Sequence, residues 1–312
     1  MRRIFLILAL AAVATSCSSS VEKREAPVRQ GYSEDLFGDV ESITVETLFY
    51  NEMSVADTIV KPSKVDVYTF NDKGDLAEWK HNDMVDNNSW RKKCTYNADD
   101  RLVLEEMYRG NVMSWRTRYR YDAEGRMVEQ LTNQINEGKD IKYLYLYDEF
   151  GNQIESKCYL DGWFRSKSVM KYDEQGREIE SAFYDKLGAM LEQRFSVYDK
   201  NGNLAEYMML RFDPTTSYTR SCYELDKAGN VVKSFSYNKE GEMTGYGVNS
   251  YDEEGRRVEL SSFEADGTQC SRHTYKYDAQ GNVVEYTYYR GRSVYPNYIL
   301  RNTIVYRSEA AE

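Results

Sequence analysis

One stretch, YKYDAQGNVVEY (Tyr275–Tyr286), recurs with variations along most of the chain. Tyr275 and Tyr277 alternate with polar residues, the period-two pattern of a half-buried strand. Asp278 and Gly281 bracket two tolerant positions. An aspartate opening a turn accepts hydrogen bonds from backbone N–H groups ahead of it, and a glycine at the fourth place takes positive φ freely. Val283, Val284, Tyr286 and Tyr288 then resume a β-prone run. Strand, Asp-x-x-Gly turn and strand make a hairpin.

The unit returns at FNDKGDLAEW (Phe70–Trp79), YDAEGRMVE (Tyr121–Glu129), YDEFGNQIE (Tyr147–Glu155), YDEQGREIE (Tyr172–Glu180) and YDKNGNLAE (Tyr198–Glu206). It returns again at LDKAGNVVK (Leu225–Lys233) and YDEEGRRVE (Tyr251–Glu259), and in a degenerate copy, YNADDRLVLE (Tyr96–Glu105), with Asp100 in place of glycine. The turn glycines from Gly125 to Gly281 are 25 to 27 residues apart. A second series of turn residues, among them Gly110, Gly138, Gly162, Gly188, Pro214 and Gly241, falls midway between them. Each repeat of about 26 residues is therefore two strands and two turns. Strands joined by short turns run antiparallel. The fold class expected is all-β: a long up-and-down meander of about 18 strands from ~26-residue hairpin repeats. Open twisted sheets of that width curl, so a curled or partly closed sheet with its aromatic-aliphatic face inward is expected. A four-residue loop, Asp278–Gly281, is favoured, which puts Tyr275 opposite Val284.

These residues resemble the YD repeats of Rhs and teneurin-type shell proteins, whose core reads Tyr-x-Tyr-Asp-x-x-Gly-Asn/Arg. The resemblance spans about Val67 to Tyr289. It implies a continuous coiled β-sheet, which in large family members wraps a toxin or other cargo. No toxin domain is read after the last strand-like run, Tyr298–Tyr306. The resemblance therefore bears on the fold, and a shell without a toxin stands as an alternative function.

Arg2 and Arg3 precede a ten-residue apolar run, Ile4–Val13, then Ala14-Thr15-Ser16-Cys17. A basic start and a short apolar run suit a signal peptide. The Cys17 context resembles a bacterial lipoprotein signal, which implies cleavage before Cys17 and a lipid on it. The expected organisation is a signal peptide over 1–16, a flexible tether over 17–38, a repeat domain over 39–307 and a tail over 308–312. The implied location is the bacterial cell envelope, anchored by the lipid to the outer membrane, with neither side preferred.

Formal charge is −10, which argues against a nucleic-acid partner. The 28 tyrosines suit strands whose rings cover an apolar face while their hydroxyls reach water. Cys94, Cys158, Cys222 and Cys270 lie at different places in the repeat and are expected as free, semi-buried thiols without metal-type spacing. Only His81 and His273 are present, and exposed strand positions are expected for both. Asp199–Asn203 resembles part of a calcium loop but has Leu210 where a bidentate glutamate is required, so it reads as a turn. A glutamate follows the apolar residue after seven of eight turn glycines. A catalytic pair needs two distinct environments, so a column in one repeated environment reads as a solvated or cross-strand-paired face.

One irregular stretch is SWRTRYRYD (Ser114–Asp122). Arg116, Arg118 and Arg120 share one strand face, and Trp115, Tyr119 and Tyr121 the other. Clustered arginine can receive an acidic partner. With Trp163, the residues Trp115, Arg116, Arg118 and Arg120 form the expected ligand surface. The function read from the sequence is a noncatalytic, lipid-anchored scaffold binding a glycan or an envelope protein, with no cofactor and no metal. Alternatives are an enzyme acting on envelope polysaccharide and an outer-membrane barrel.

Overall fold

The computed structural model describes residues 30–32, 34–50, 61–212 and 216–307. Twenty strands follow in chain order. They are β1 (Val40–Phe49), β2 (Lys64–Phe70), β3 (Leu76–Asp83), β4 (Asn88–Tyr96), β5 (Leu102–Arg109), β6 (Val112–Tyr121), β7 (Met127–Gln134), β8 (Lys139–Tyr147), β9 (Gln153–Leu160) and β10 (Trp163–Tyr172). The second half comprises β11 (Glu178–Asp185), β12 (Met190–Tyr198), β13 (Leu204–Arg211), β14 (Ser217–Leu225), β15 (Val231–Tyr237), β16 (Met243–Tyr251), β17 (Arg257–Glu264), β18 (Gln269–Tyr277), β19 (Val283–Arg290) and β20 (Tyr298–Tyr306). Every strand pairs antiparallel with its neighbours in sequence, and β1 pairs with both β2 and β20. The expected meander is thus a closed barrel, and no helix occurs among the described residues.

The turn chemistry explains the hairpins. In the repeat at Tyr121, the Gly125 N–H donates to the Asp122 carbonyl (3.1 Å) and the Asp122 N–H to the Arg126 carbonyl (3.0 Å). Gly125 has φ 86°. This is a three-residue loop: a type I turn closed by a residue in the left-handed region, where glycine carries no Cβ penalty. The aspartate oxygens take up the freed N–H groups. Asp173 Oδ1 accepts from Gln175 N (3.0 Å) and Arg177 N (2.9 Å). Asn71 and Asn97 do the same work in two other turns.

The loop length corrects the expected register. Tyr275 pairs with Tyr286 and Tyr277 with Val283, while Val284 falls at a register shift between Lys276 and Tyr277. The shift inserts one extra residue after the turn, which returns the strand to the parity that a four-residue loop would otherwise have supplied. The apolar position expected opposite the tyrosine is therefore the bulged residue. The glutamate beside it pairs across the strand instead, as Arg120 with Glu129 and Lys276 with Glu285.

Each repeat is bound to the next by the tyrosine before the aspartate. The Tyr121, Tyr147, Tyr172 and Tyr198 hydroxyls donate to the carbonyls of Leu102, Met127, Gln153 and Glu178 at 2.7 to 2.9 Å. Tyr96, Tyr251 and Tyr277 make the same bond to Leu76, Val231 and Arg257. The residue after the turn glycine completes the contact. The Arg126, Arg177 and Arg256 guanidinium groups lie over the rings of Tyr147, Tyr198 and Tyr277 at 4.6 to 5.1 Å. Leu225 stands at this position without a hydroxyl.

Closure is reinforced at this same end. The expected tether meets the sheet before Gly38: Leu36 is buried with Val40, Ile43, Phe70 and Leu76, and Tyr32 sits edge-on to Tyr68 and Phe70. Apolar side chains and backbone pairing hold it there. Gln30 accepts from the Leu76 N–H (3.0 Å) and donates to Asp75 Oδ1 (2.9 Å), and its side-chain oxygen accepts from the Leu102 N–H (2.9 Å). Asn282, almost fully buried, accepts from Phe37 N and donates to Phe37 O. Arg307 donates to the carbonyls of Phe70 and Asn71. The signal peptide, Cys17 and the tail 308–312 lie outside the described residues.

Twenty strands at ~4.8 Å spacing and ~40° tilt enclose a barrel roughly 40 Å across. Barrels of that strand number are wider than side chains can fill. Among the described residues, the buried apolar cluster accordingly lies at the closure region, with Ala182 on β11 buried apart from it.

Two outcomes are expected. Tyr172→Phe keeps the ring and removes the bond to the Gln153 carbonyl, so urea denaturation will show a loss of about 1 kcal/mol. Acid stability follows the turn aspartates. Arg177, Asn152 and the Asn203 N–H hold the Asp173, Asp148 and Asp199 carboxyls below the ordinary value of 3.8. Their contribution is present above that value and is lost as pH falls through the lower folded values. The urea midpoint will drop below about pH 4, and Asp173→Asn will lower stability at neutral pH while leaving less to lose in acid, so the acid dependence weakens.

Candidate functional site

Period-two alternation sorts the side chains onto two walls. The face with the tyrosines before the turns is the more covered one. Leu146 and Val197 on the other face are open to solvent, and the buried cluster with Tyr68, Trp79 and Cys94 lies on the tyrosine side. In a closed barrel the more covered face is the interior, which residues in register with the tyrosines share. On the outside, glutamates pair with cations on adjacent strands: Arg116–Glu106 at 3.0 Å, Lys171–Glu180 at 2.7 Å, Arg220–Glu206 at 2.6 Å and Lys276–Glu285 at 2.7 Å. Cations also cover outer rings, as Arg272 over Tyr289 at 4.1 Å. Charges at mid-strand on a lipid face are destabilising, so this outer wall is built for water.

The inner wall has a cleft of about 330 Å³ beside β2–β6, closed on one side by Gly31, Tyr32 and Glu34. Its floor is aromatic. The Tyr68 and Trp79 rings stack with centroids 6.4 Å apart, and Trp79 is followed by His81 at 5.8 Å. Asp66 fixes this row, accepting from Trp79 Nε1 at 2.8 Å and meeting His81 Nδ1 at 2.8 Å. Trp115 and Met107 continue the lining. The register requires this grouping: Tyr68 pairs with Trp79, Trp79 with Lys92, Lys92 with Met107 and Met107 with Trp115.

Polar groups stand among the rings. Lys92 Nζ lies 3.3 Å from Glu105 Oε1 and donates to the Gly31 carbonyl at 3.2 Å. Tyr119 donates to Glu105 Oε2 at 2.6 Å. Burial, followed by the Glu105 charge, pushes the Tyr119 hydroxyl far above its ordinary value, so it stays a donor. Desolvation raises the Glu34 carboxyl against a hydrogen bond from Tyr32. Burial also raises the Cys94 thiol to about 11, with Lys92 opposing. Oriented aromatic faces beside a fixed carboxylate, an ammonium and a phenol make a binding surface: rings for C–H faces, charged groups for hydroxyls or an acidic substituent.

The structure separates the sequence-predicted ligand residues. Trp115 lines the cleft. Arg116, Arg118 and Arg120 lie on the outer wall, where they meet Glu106, Asn133 and Glu129. Trp163 opens β10 at the barrel end away from the Asp-x-x-Gly turns and is 78% exposed. Tyr68, Lys92 and Glu105 were not singled out by the sequence. Counting back by twos from Tyr96 places Cys94 and Lys92 on the tyrosine face, and a lysine there was the available signal. The two histidines are corrected. Both are half-buried on the inner wall, His81 against Asp66 and His273 between Tyr286 (2.6 Å) and Ser271 (3.0 Å), because their ring nitrogens find partners there. Desolvation, then Arg257, lowers the His273 pKa below its ordinary value. The four described cysteines are free and half-buried. Asp199 is occupied within its turn by Asn201 N and Asn203 N.

A family model described as "Uncharacterised protein" matches residues 63–167. No curated protein matches the chain. Among solved structures, the crystal structure titled TcdB2-TccC3-Cdc42 is similar at 17% identity and TM-score 0.37, over 87% of this chain and 16% of that one. The chain thus spans about one sixth of that protein's length. A porin-like protein from Bacteroides uniformis ATCC 8492 is similar at 11% identity and TM-score 0.39, over 86% of this chain and 98% of that one. A porin-like protein from Bacteroides vulgatus ATCC 8482 matches over the same shares at TM-score 0.31.

The Cys94 thiol, held at about 11 by burial against the ordinary 9.0, has about 100-fold less thiolate at pH 8. Mass mapping after brief alkylation will show Cys94 modified correspondingly more slowly than in the urea-unfolded chain.

Proposed function

We propose that this protein is a noncatalytic scaffold of the bacterial cell envelope, lipid-anchored through Cys17, whose barrel binds a glycan in the inner aromatic cleft. The observation that carries the reading is the row Tyr68–Trp79 facing Trp115, with Lys92 and Glu105 between them. Sugar rings present apolar C–H faces and hydroxyl edges together, and this wall offers a partner to each. The rings sit on strands rather than loops and are fixed by Asp66, so little ordering is needed on binding. The outer wall supports the same choice of face, since its arginines are engaged with glutamates and an asparagine. The anchor rests on the Arg2-Arg3, apolar run and Ser16-Cys17 sequence.

Two measurements test the two halves of this reading. Oligosaccharides released from envelope polysaccharide will quench tryptophan fluorescence of the full chain. Trp79→Ala will weaken that binding by about 10-fold or more, the scale of one lost ring contact. If no saccharide changes the signal, or if Trp79→Ala and Trp115→Ala bind as the parent does, the glycan assignment is wrong. Separately, Cys17→Ala will move the protein from the membrane to the soluble fraction; unchanged partition would remove the anchor.

A further inference from the structure

The aromatic cleft has a sign of charge. Its lining holds two carboxylates, Glu34 and Glu105, and one ammonium, Lys92. The ammonium is engaged, lying 3.3 Å from Glu105 Oε1 and donating to the Gly31 carbonyl. Glu105 thus meets Lys92 and the Tyr119 hydroxyl. Glu34 accepts a hydrogen bond from Tyr32 and forms no ion pair among the described residues. A third carboxylate, Asp66, stands behind Trp79 and accepts from its Nε1 at 2.8 Å. Burial first, then the Asp66 and Glu34 charges, push the Tyr68 hydroxyl far above its ordinary value, so the negative field reaches the floor of the cleft.

The rings point to the same ligand chemistry. Elsewhere the chain lays its own cations over aromatic faces, as Arg91 over Tyr108 at 4.8 Å, Arg109 over Trp90 at 5.6 Å and Lys142 over Tyr159 at 5.6 Å. Among the described residues, no cation lies over Tyr68, Trp79 or Trp115. The face of an aromatic ring is the negative pole of its quadrupole and attracts a cation, tryptophan most strongly. Given the glycan reading, we propose that the sugar held in this cleft carries a protonated free amine. It is a glucosamine-type unit whose ammonium is shared between the Glu34 carboxylate and the faces of Tyr68, Trp79 and Trp115. An ammonium brings several donors together with the charge that offsets the excess carboxylate. Acetylation of the amine removes that charge. A uronic acid would add a carboxylate where the lining already has one in excess. At about 330 Å³ the cleft is at the lower end for ligand sites, roughly 300–1,000 Å³, so it reads one residue of a sugar chain and its substituents.

Tryptophan fluorescence of the full chain in mild detergent tests the assignment with tetramers of glucosamine, N-acetylglucosamine and galacturonic acid. At about pH 6 an aliphatic amine is protonated and a uronic acid is ionised. The glucosamine tetramer will bind about 10-fold or more tightly than the N-acetylglucosamine tetramer, with galacturonic acid weakest. Glu34 is exposed on the segment before β1, so Glu34→Gln will leave the thermal midpoint in place while bringing the glucosamine and N-acetylglucosamine affinities together. Equal or tighter binding of the acetylated or acidic tetramer would overturn the amine and leave the glycan reading standing. So would silence toward all three tetramers while envelope oligosaccharides still bind. No response to any saccharide would remove both. The chain carries −10 overall, so bulk attraction needs its own control. A glucosamine preference that survives Glu34→Gln, or a trilysine peptide that displaces the tetramer at equal concentration, would show such attraction and overturn the proposal.

Discussion

The barrel depends on a bond between a side chain and the backbone: the tyrosine hydroxyl donating to the carbonyl that begins the preceding strand. A two-stranded hairpin is marginal by itself. The aspartate turn orders one hairpin, but it holds only the strands it joins. At the same end, the next pair of strands has no connecting turn. There the tyrosine reaches across, as Tyr147 reaches Met127, and the arginine or asparagine after the glycine packs beside it. Turn and tie alternate around one rim. This makes stability a sum of nearly equal neighbour terms, as in other repeat architectures. It also locates a seam at Leu225, where the ring and hydroxyl are both missing.

Repetition alone would leave two open edges, each a row of unpaired N–H and C=O groups. The chain removes them by pairing β1 with β20 over nine residue pairs. The segment Gln30–Gly38, which does not repeat, is placed across that junction. Gln30 bonds to the turn regions at Asp75 and Leu102, Phe37 to Asn282, and Leu36 packs into the cluster at Ile43. Among the described residues, the one apolar cluster dense enough to resemble an ordinary core therefore sits where the ring is closed. Elsewhere a wall one strand thick suffices, because each position needs only its neighbours.

Much of this was legible in the residues. The spacing of Gly125, Gly151 and Gly176 dictates antiparallel hairpins, and the alternation of Tyr275 with Tyr277 dictates one aromatic face. The register was not legible, because a bulge such as Val284 leaves the pattern of residue types unchanged while shifting their pairing. Closure was not legible either: Gln30 and Asn282 are 252 positions apart, and no local rule links them. The ligand surface was half legible. Trp115 was found because it lies in the arginine-rich stretch Ser114–Asp122, although those arginines face the other wall. Lys92 and Glu105 were not, because charged residues in strands read as solvent-facing until the parity from Tyr96 is counted.

The two walls differ in what remains available to a partner. Outside, repetition brings glutamate opposite lysine or arginine turn after turn, so charge is neutralised by the chain itself and little net recognition is left. Inside, the repeats diverge. β18–β20 and β1–β6 bring rings inward, including Tyr275, Tyr286, Tyr298 and Trp79. On the adjoining strands β14–β17, Ser221, Ser236, Gly247 and Ser262 bring almost no side chain, while farther round Tyr143 and Tyr145 stack on β8. A stability requirement shared by every repeat would not produce this split, since the ties at the rim are the same on both sides. The difference lies in the middle of the inner strands, where the sequence is free of the turn and the tie. That is the part of a repeat barrel in which recognition can vary without disturbing the fold.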